Sequence, residues 1–434
     1  MLNEALQNVT VIGASGKMGS GIALLLLQEM TRLDLEQGFK EVASQKQLNL
    51  VDRNQEALDG LKAYLSKQLT RYAEKVLKAD AALTDLFVQK GLTIANFTLE
   101  LESAKNSKMV FEAIFERLDI KTKLLLDLKE ICSEETNFFS NTSSIPISVV
   151  EKEAGVEGRL IGFHFYNPPA VQKLVELISS DSTPQALQDM SMELGQRLRK
   201  VMVPSNDIAG FIGNGHFIRD GLYAISQIEE LSKKVEPNEA LYQINRITQD
   251  FMVRPMGIFQ LIDYVGLDVF QMILNTMNTY IEDEELSSDM INMMIDQGVS
   301  GGQFHDGSQK DGFLKYENHK PVATYSLKEK KYIRFDEGDW TEKCDQELGN
   351  FSEKHFPWKA LSRDAEKDVK LSTYFQSLFE MDSKGAKLAQ AYLLNSKKIS
   401  ENLVKNSVAA HSEDVGKVLM NGFFHLYAPE NEMY

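Results

Sequence analysis

Apolar positions early in the chain fall into short continuous runs separated by amphipathic stretches. Residues 8–13, NVTVIG, are a β-branched run that stops at a glycine, the pattern of a strand buried on both faces. ASGKMGSGIALLLLQEMTRL then turns through glycines and enters a helical pattern. A second strand, QLNLVD, ends at Asp52, and residues 53–90 carry Leu and Lys at three- and four-residue spacing with no proline, which predicts helix. Another strand ends in VFEAIFE (110–116), and FFSNTSSIPI (138–147) follows one helix later. This alternation predicts an α/β, doubly wound, Rossmann-type sheet. Two more apolar runs, LIGFHFY (160–166) and KLVELI (173–178), flank the turn-forming NPPA. MVPSNDIAGFIGN (202–214) leads into a helix-favouring segment over 211–295. Glycines at 301, 302, 307 and 312 suggest loops or a hairpin over 300–340, and the chain beyond 360 again favours helix. The expected organisation is an α/β domain over 1–204, an all-α domain over 205–330 and a second helical module over 331–434. Gly257, Phe259 and Leu261 share their spacing with Gly422, Phe424 and Leu426, which suggests that the second module is a degenerate repeat.

The first strand–helix junction carries Gly13, Gly16, Gly19 and Gly21. A dinucleotide-binding turn needs residues without side chains there, because the turn is tight and helix N-terminal amides must approach a pyrophosphate. The spacing is G-x-x-G-x-x-G, one residue longer than the commoner form, and such glycines also serve plain strand–helix packing. Asp52 at the end of the second strand can accept the adenosine ribose hydroxyls, which favours NAD, whereas Arg53 beside it could accommodate the 2′-phosphate of NADP. Asp52 stands further beyond the glycines than the usual roughly 20 residues, and the surplus is assigned to a long helix or insertion at 33–47.

His164 and Glu176 are equidistant from the centre of the LIGFHFYNPPAVQKLVELI segment. If the two runs are antiparallel strands, cross-strand pairing puts both side chains on one face. A carboxylate on one imidazole nitrogen fixes the tautomer and raises the basicity of the other, making a general base. A surface His–Glu pair or a locally satisfied core histidine is the alternative. Ser143 in SNTSS lies at the carboxyl end of the sheet, and Asn214 in GFIGN begins a helix. Each could bond a substrate oxygen, or act simply as a helix cap. The other histidines, 216, 305, 319, 355, 411 and 425, read as structural or solvated, and none has metal-ligand spacing, so no metal is expected.

Charge narrows the partners. With 47 Lys+Arg against 63 Asp+Glu, the net charge of −16 argues against nucleic acid and anionic membrane surfaces. No apolar stretch approaches the roughly 18–20 residues of a membrane span, the first residues lack the pattern of a signal peptide, and a cytoplasmic location is expected. Two cysteines, Cys132 and Cys344, leave no disulfide framework and read as buried apolar residues.

GKMGSGIA, VFEAIFE followed by Lys121, SNTSSIPIS, GFHFYNPP, KLVELI, AGFIGN and RPMGIFQLIDYVGLD together resemble the L-3-hydroxyacyl-CoA dehydrogenases, over about residues 8–315. The resemblance implies NAD-dependent oxidation of a 3-hydroxyacyl-CoA in fatty-acid β-oxidation or butanoyl metabolism. His164 is then the general base, Glu176 its orienting carboxylate, and Ser143 and Asn214 the contacts of the substrate oxygen. It carries cofactor contacts over to Gly13, Gly19, Asp52, Ala113, Glu116 and Lys121. Gly16, Lys17 and Met18 in the same turn and Asn141 beside Ser143 complete the candidate NAD set. The acyl-CoA phosphates need local basic residues, for which Lys67, Arg71 and Lys75 are candidates, although a solvated helix face explains them equally. Some members carry a second helical domain in one chain, so either a homodimer or a pseudo-dimeric monomer is expected, and association with a hydratase or thiolase is open. A dehydrogenase of a non-CoA 3-hydroxy acid or sugar acid, and a non-catalytic dinucleotide-binding subunit, are the rival readings.

Overall fold

The computed structural model describes residues 2–36, 42, 44–78, 80–304 and 307–434. They form two units, Met1–Ile208 and Ala209–Tyr434.

The first unit is built on eight strands: β1 Asn8–Ile12, β2 Gln47–Val51, β3 Ala95–Thr98, β4 Met109–Glu112, β5 Asn137–Ser140, β6 Leu160–Phe165, β7 Leu174–Ser179 and β8 Val201–Asn206. Their order across the sheet is β3-β2-β1-β4-β5-β6-β7-β8. β1 to β6 are parallel, β7 runs antiparallel to β6, and β8 runs parallel to β7. This is the Rossmann-type doubly wound sheet, extended at one edge. Because β1 pairs with β2 on one side and β4 on the other, the crevice for a ligand opens at the carboxyl ends of β1 and β4.

Helix Lys17–Glu36 follows β1 and presents Ile22, Ala23, Leu26, Leu27 and Met30 to the core. The proposed insertion at 33–47 is partly a continuation of this helix; residues 37–41 and 43 lie outside the described residues. The single helix expected over 53–90 is two. Gln55–Val76 is capped by the Asn54 side chain and buries a stripe of Leu58, Leu61, Leu65, Leu69 and Ala73. Lys78 then takes a left-handed φ of 54°, and Asp80 caps Ala81–Ile94. Composition alone hid that break, although Asp80 is a preferred N-cap residue and was a usable signal.

Two strands escaped the sequence reading. β3 is only four residues, and β8 contains Pro204, which argues against a central strand. β8 tolerates it as the last strand of the sheet, where a missing ladder donor faces outward.

The second unit is helical except for one antiparallel sheet, β9 Leu314–Glu317, β10 Lys320–Ser326 and β11 Lys331–Arg334. The long helical segment over 211–295 is divided where its sequence carries breakers: Phe211–Leu231 ends before Pro237–Arg246, and Gly257 and Gly266 bound Ile258–Val265. The expected boundary at 330/331 is not a domain boundary. It cuts between β10 and β11, and one hydrophobic core runs from Ala209 to Tyr427. Residues after 340 also complete the earlier helices: the hydroxyls of Tyr374, Tyr427 and Tyr392 donate to the carbonyls of Phe251, Met252 and Asp220 at 2.7–2.8 Å. The glycine echo does not mark a repeat, because Gly257 caps the start of a helix and Gly422 is the last residue of one. No single helix among the described residues is long and apolar enough to cross a membrane.

Candidate active site

β6 and β7 pair in the register that puts His164 opposite Glu176, and both side chains are buried. His164 Nδ1 lies 3.3 Å from Glu176 Oε1. A bond to a carboxylate requires the proton on Nδ1, which leaves the lone pair of the neutral imidazole on Nε2. Tyr166, two residues on and therefore on the same face, donates its hydroxyl to the same carboxylate oxygen at 2.6 Å. The sequence reading missed Tyr166, although its period-two spacing from His164 was a usable signal.

At the end of β5, Asn141 Oδ1 accepts the N–H of Phe165 at 2.9 Å, tying the SNTSS turn to the strand that carries His164. Ser143 is brought to Glu116. Glu116 Oε1 accepts the N–H groups of Ser143 and Ser144 at 2.8 and 3.0 Å, the Thr142 hydroxyl at 2.7 Å and the Ser143 hydroxyl at 3.3 Å. Ser143 is not a helix cap, since Asp207 serves the first amides of Ile147–Ala154. Lys121, enclosed at 1 % exposure, bridges Glu116 and Glu112, and the Ser140 hydroxyl also donates to Glu112. The sequence reading singled out Glu116 and Lys121 as cofactor contacts and passed over Glu112; the structure brings the three together. Burial pushes the Glu112 carboxyl up, and Lys121 only partly opposes it. Burial acts on Glu116 likewise, but Lys121 and the Thr142 hydroxyl outweigh it and hold that carboxyl below its usual range.

The glycine turn is as tight as a backbone approach demands. Gly13 has φ 76°, and a Cβ there would stand 2.6 Å from the Ala113 carbonyl; one on Gly19 would stand 2.0 Å from the Gly13 carbonyl. Gly16 N–H bonds the Gly13 carbonyl at 3.1 Å, and Lys17 and Met18 open the helix. Asp52 Oδ2 accepts the N–H of Ser15 at 2.9 Å, so the acid after β2 also fastens the glycine turn. Asn214 stands apart from these residues in the chain, in the first turn of helix Phe211–Leu231 of the second unit; the cap of that helix is Gly210, not Asn214.

The model of the 3-hydroxyacyl-CoA dehydrogenase NAD binding domain matches residues 8–208, and that of the C-terminal domain matches 216–316. A probable 3-hydroxybutyryl-CoA dehydrogenase of Bacillus subtilis is 31% identical over 283 residues, 64% of this chain and 88% of that protein. The chain belongs to the 3-hydroxyacyl-CoA dehydrogenase family.

Within that family, a peroxisomal fatty acid beta-oxidation multifunctional protein of Oryza sativa is 28% identical over 72% of this chain, which spans 38% of that protein. The crystal structure of 3-hydroxybutyryl-CoA dehydrogenase from Escherichia coli K12 shares the fold over 98% of this chain and 90% of its own, with a TM-score of 0.67 at 20% identity. The shared fold therefore continues beyond residue 316, where the family models stop. NAD is the family's cofactor, and the residues of the turn fit it. The glycines leave no room for side chains, and Ser15 Oγ is buried with no partner among the described residues, an orphan that a polar ligand would satisfy.

Proposed function

We propose that the chain oxidises the C3 hydroxyl of a 3-hydroxyacyl-CoA with His164 as general base, in fatty-acid β-oxidation or butanoyl metabolism. The carrying observation is the His164–Glu176 pair, buried and in cross-strand register on a Rossmann-type unit. The chain is an NAD-dependent 3-hydroxyacyl-CoA dehydrogenase by family. The glycine turn, Ser15 and Asp52 would hold the dinucleotide, which supplies the hydride acceptor when bound. His164 Nε2 takes the hydroxyl proton, and Glu176 stabilises the imidazolium that results. Ser143 would bond the substrate oxygen as it changes from hydroxyl to carbonyl. Glu116 holds the 142–144 turn, and Lys121 holds Glu116.

A cleft of about 460 Å³ in the first unit gathers Arg71, Lys173, Arg199 and Lys200 with Tyr64 and Tyr72, local positive charge in an acidic chain. Of the three basic candidates on helix Gln55–Val76, Arg71 is the one that lines it, and it suits the CoA phosphates. The relative that is a fatty acid beta-oxidation multifunctional protein supports association with further β-oxidation activities. Initial rates of NADH formation from 3-hydroxybutyryl-CoA and from free 3-hydroxybutyrate, with NAD and NADP side by side, test the reading. A strong preference for the thioester with NAD is expected; equal turnover of the free acid would overturn it.

A further inference from the structure

Glu176 Oε1 serves two donors two residues apart, His164 on β6 and Tyr166 just past its end. The Tyr166 hydroxyl reaches it at 2.6 Å, while His164 Nδ1 stays at 3.3 Å, and the two rings lie 4.8 Å apart between centroids. A hydroxyl donating to a carboxylate at that distance makes a strong, charge-assisted bond, whereas the imidazole contact is at the long limit for an N–H···O bond. We propose that Tyr166 is a positioning residue that competes with His164 for Glu176, and so limits how tightly the imidazole holds a proton.

The physical argument is electrostatic. A carboxylate raises imidazole basicity in proportion to the negative charge it presents to the Nδ1–H. The phenol draws part of that charge to itself and pins the oxygen away from the ring. A strongly bound proton on His164 would favour taking the substrate proton but slow its return in the reverse reaction, and a base poised near the working pH serves both directions. Tyr166 is suited to the role because it stays a donor: burial, with the adjacent Glu176 charge, keeps its hydroxyl protonated far above neutral pH. Tyr166, just past the end of β6, and His164 on β6 are titratable groups that meet at Glu176 of β7. On the β5 side, Glu112 and Glu116 are each bonded by Lys121. On the β8 side, Val203 pairs with Glu176 and brings no charge.

This inference rests on His164 as the base, yet it can be read without turnover. The probe is the full-length chain labelled with ¹⁵N-histidine, the His164 signals being assigned by their loss in His164→Ala, and titrated by NMR in wild type and Tyr166→Phe. The expected result is an upward shift of the His164 pKa by about 0.5–1 unit in Tyr166→Phe, a roughly three- to tenfold tighter proton. A second protein with 3-fluorotyrosine at position 166, a more acidic phenol and stronger donor, should move it downward, and it keeps the test open if the phenylalanine variant does not fold. An unchanged or lowered pKa in Tyr166→Phe, or an unchanged or raised one with fluorotyrosine, overturns the proposal. The acid limb of the kcat profile for oxidation should move with the NMR value. If the NMR value moves and the limb does not, this proposal stands and the assignment of His164 as the base fails.

Discussion

Lys121 Nζ stands 3.0 Å from both carboxylate oxygens of Glu112 and 3.2 Å from Glu116, so one buried ammonium serves two acids. Without it, two carboxylates stand close together in a mostly buried site. Lys121→Met should cost about 3–5 kcal/mol of stability at pH 8, the usual penalty for stranding a buried charge. The sign of the pH dependence follows from Glu112, whose folded pKa is already raised by burial. A carboxyl that holds its proton more tightly when folded is relieved as pH falls, so the loss should shrink at pH 5. Urea unfolding at the two pH values checks this; equal losses would mean that Lys121 acts through packing alone.

Asp52 holds the Ser15 amide and closes the glycine turn. Asp52→Ala should raise the KM for NAD at least tenfold, about 1.4 kcal/mol, and shift the ratio of kcat/KM values toward NADP, with Arg53 left beside the site. An unaltered NAD-to-NADP ratio would show that this carboxylate does not read the ribose.

His164→Ala should lower kcat by about 10²–10⁴-fold, the typical worth of general-base catalysis. NADH affinity, followed by fluorescence, should stay within about twofold, because the substitution lies outside the glycine turn. A kcat within threefold of wild type would refute the role given to the imidazole.

Arg71 and Arg199 line the basic cleft from a helix and from the loop before β8. Reversing both charges, Arg71→Glu with Arg199→Glu, should raise the KM for 3-hydroxybutyryl-CoA at least tenfold and leave kcat within twofold. The same substrate built on pantetheine, without the nucleotide phosphates, should respond little. Equal effects on both substrates would place the phosphates elsewhere.

Asp263, fully buried in the second unit, accepts the N–H groups of Phe313 and Leu314 and the Tyr316 hydroxyl. Burial pushes its carboxyl up to about 7 against those donors. The folded value exceeds the unfolded one, so the stability this group contributes is complete below about pH 4 and is lost as pH rises through about 7. Unfolding followed between pH 4.5 and 8 should show that decline, and Asp263→Asn should flatten it. A slope unchanged by the substitution would mean that other groups carry it.

Much of the first unit could be read along the chain because its information is local. A β-branched run ending at Gly13, glycines spaced into a helix, and an acid closing QLNLVD are each decided within a few residues. The His164–Glu176 register was also legible, since a hairpin fixes pairing by counting outward from its turn. The second unit resisted for the opposite reason. Helical periodicity shows that segments are amphipathic but not which ones share a core, so 331–434 looked like a separate module.

What the sequence alone determined, then, is the strand–helix alternation, the glycine turn and the pairing of His164 with Glu176, because spacing of 2.0 or 3.6 residues sets which side chains share a face. Only the tertiary structure decided that Glu116 binds the 142–144 turn, that Lys121 stands between two acids, that Tyr166 shares the oxygen of Glu176 with His164, and that tyrosines from the last hundred or so residues bond the carbonyls of Asp220, Phe251 and Met252. Most of these contacts join residues distant in sequence, and buried polar groups take whichever partner the packing brings within about 3 Å. Periodicity cannot name that partner, and even for Tyr166 it shows a shared face but not a shared oxygen.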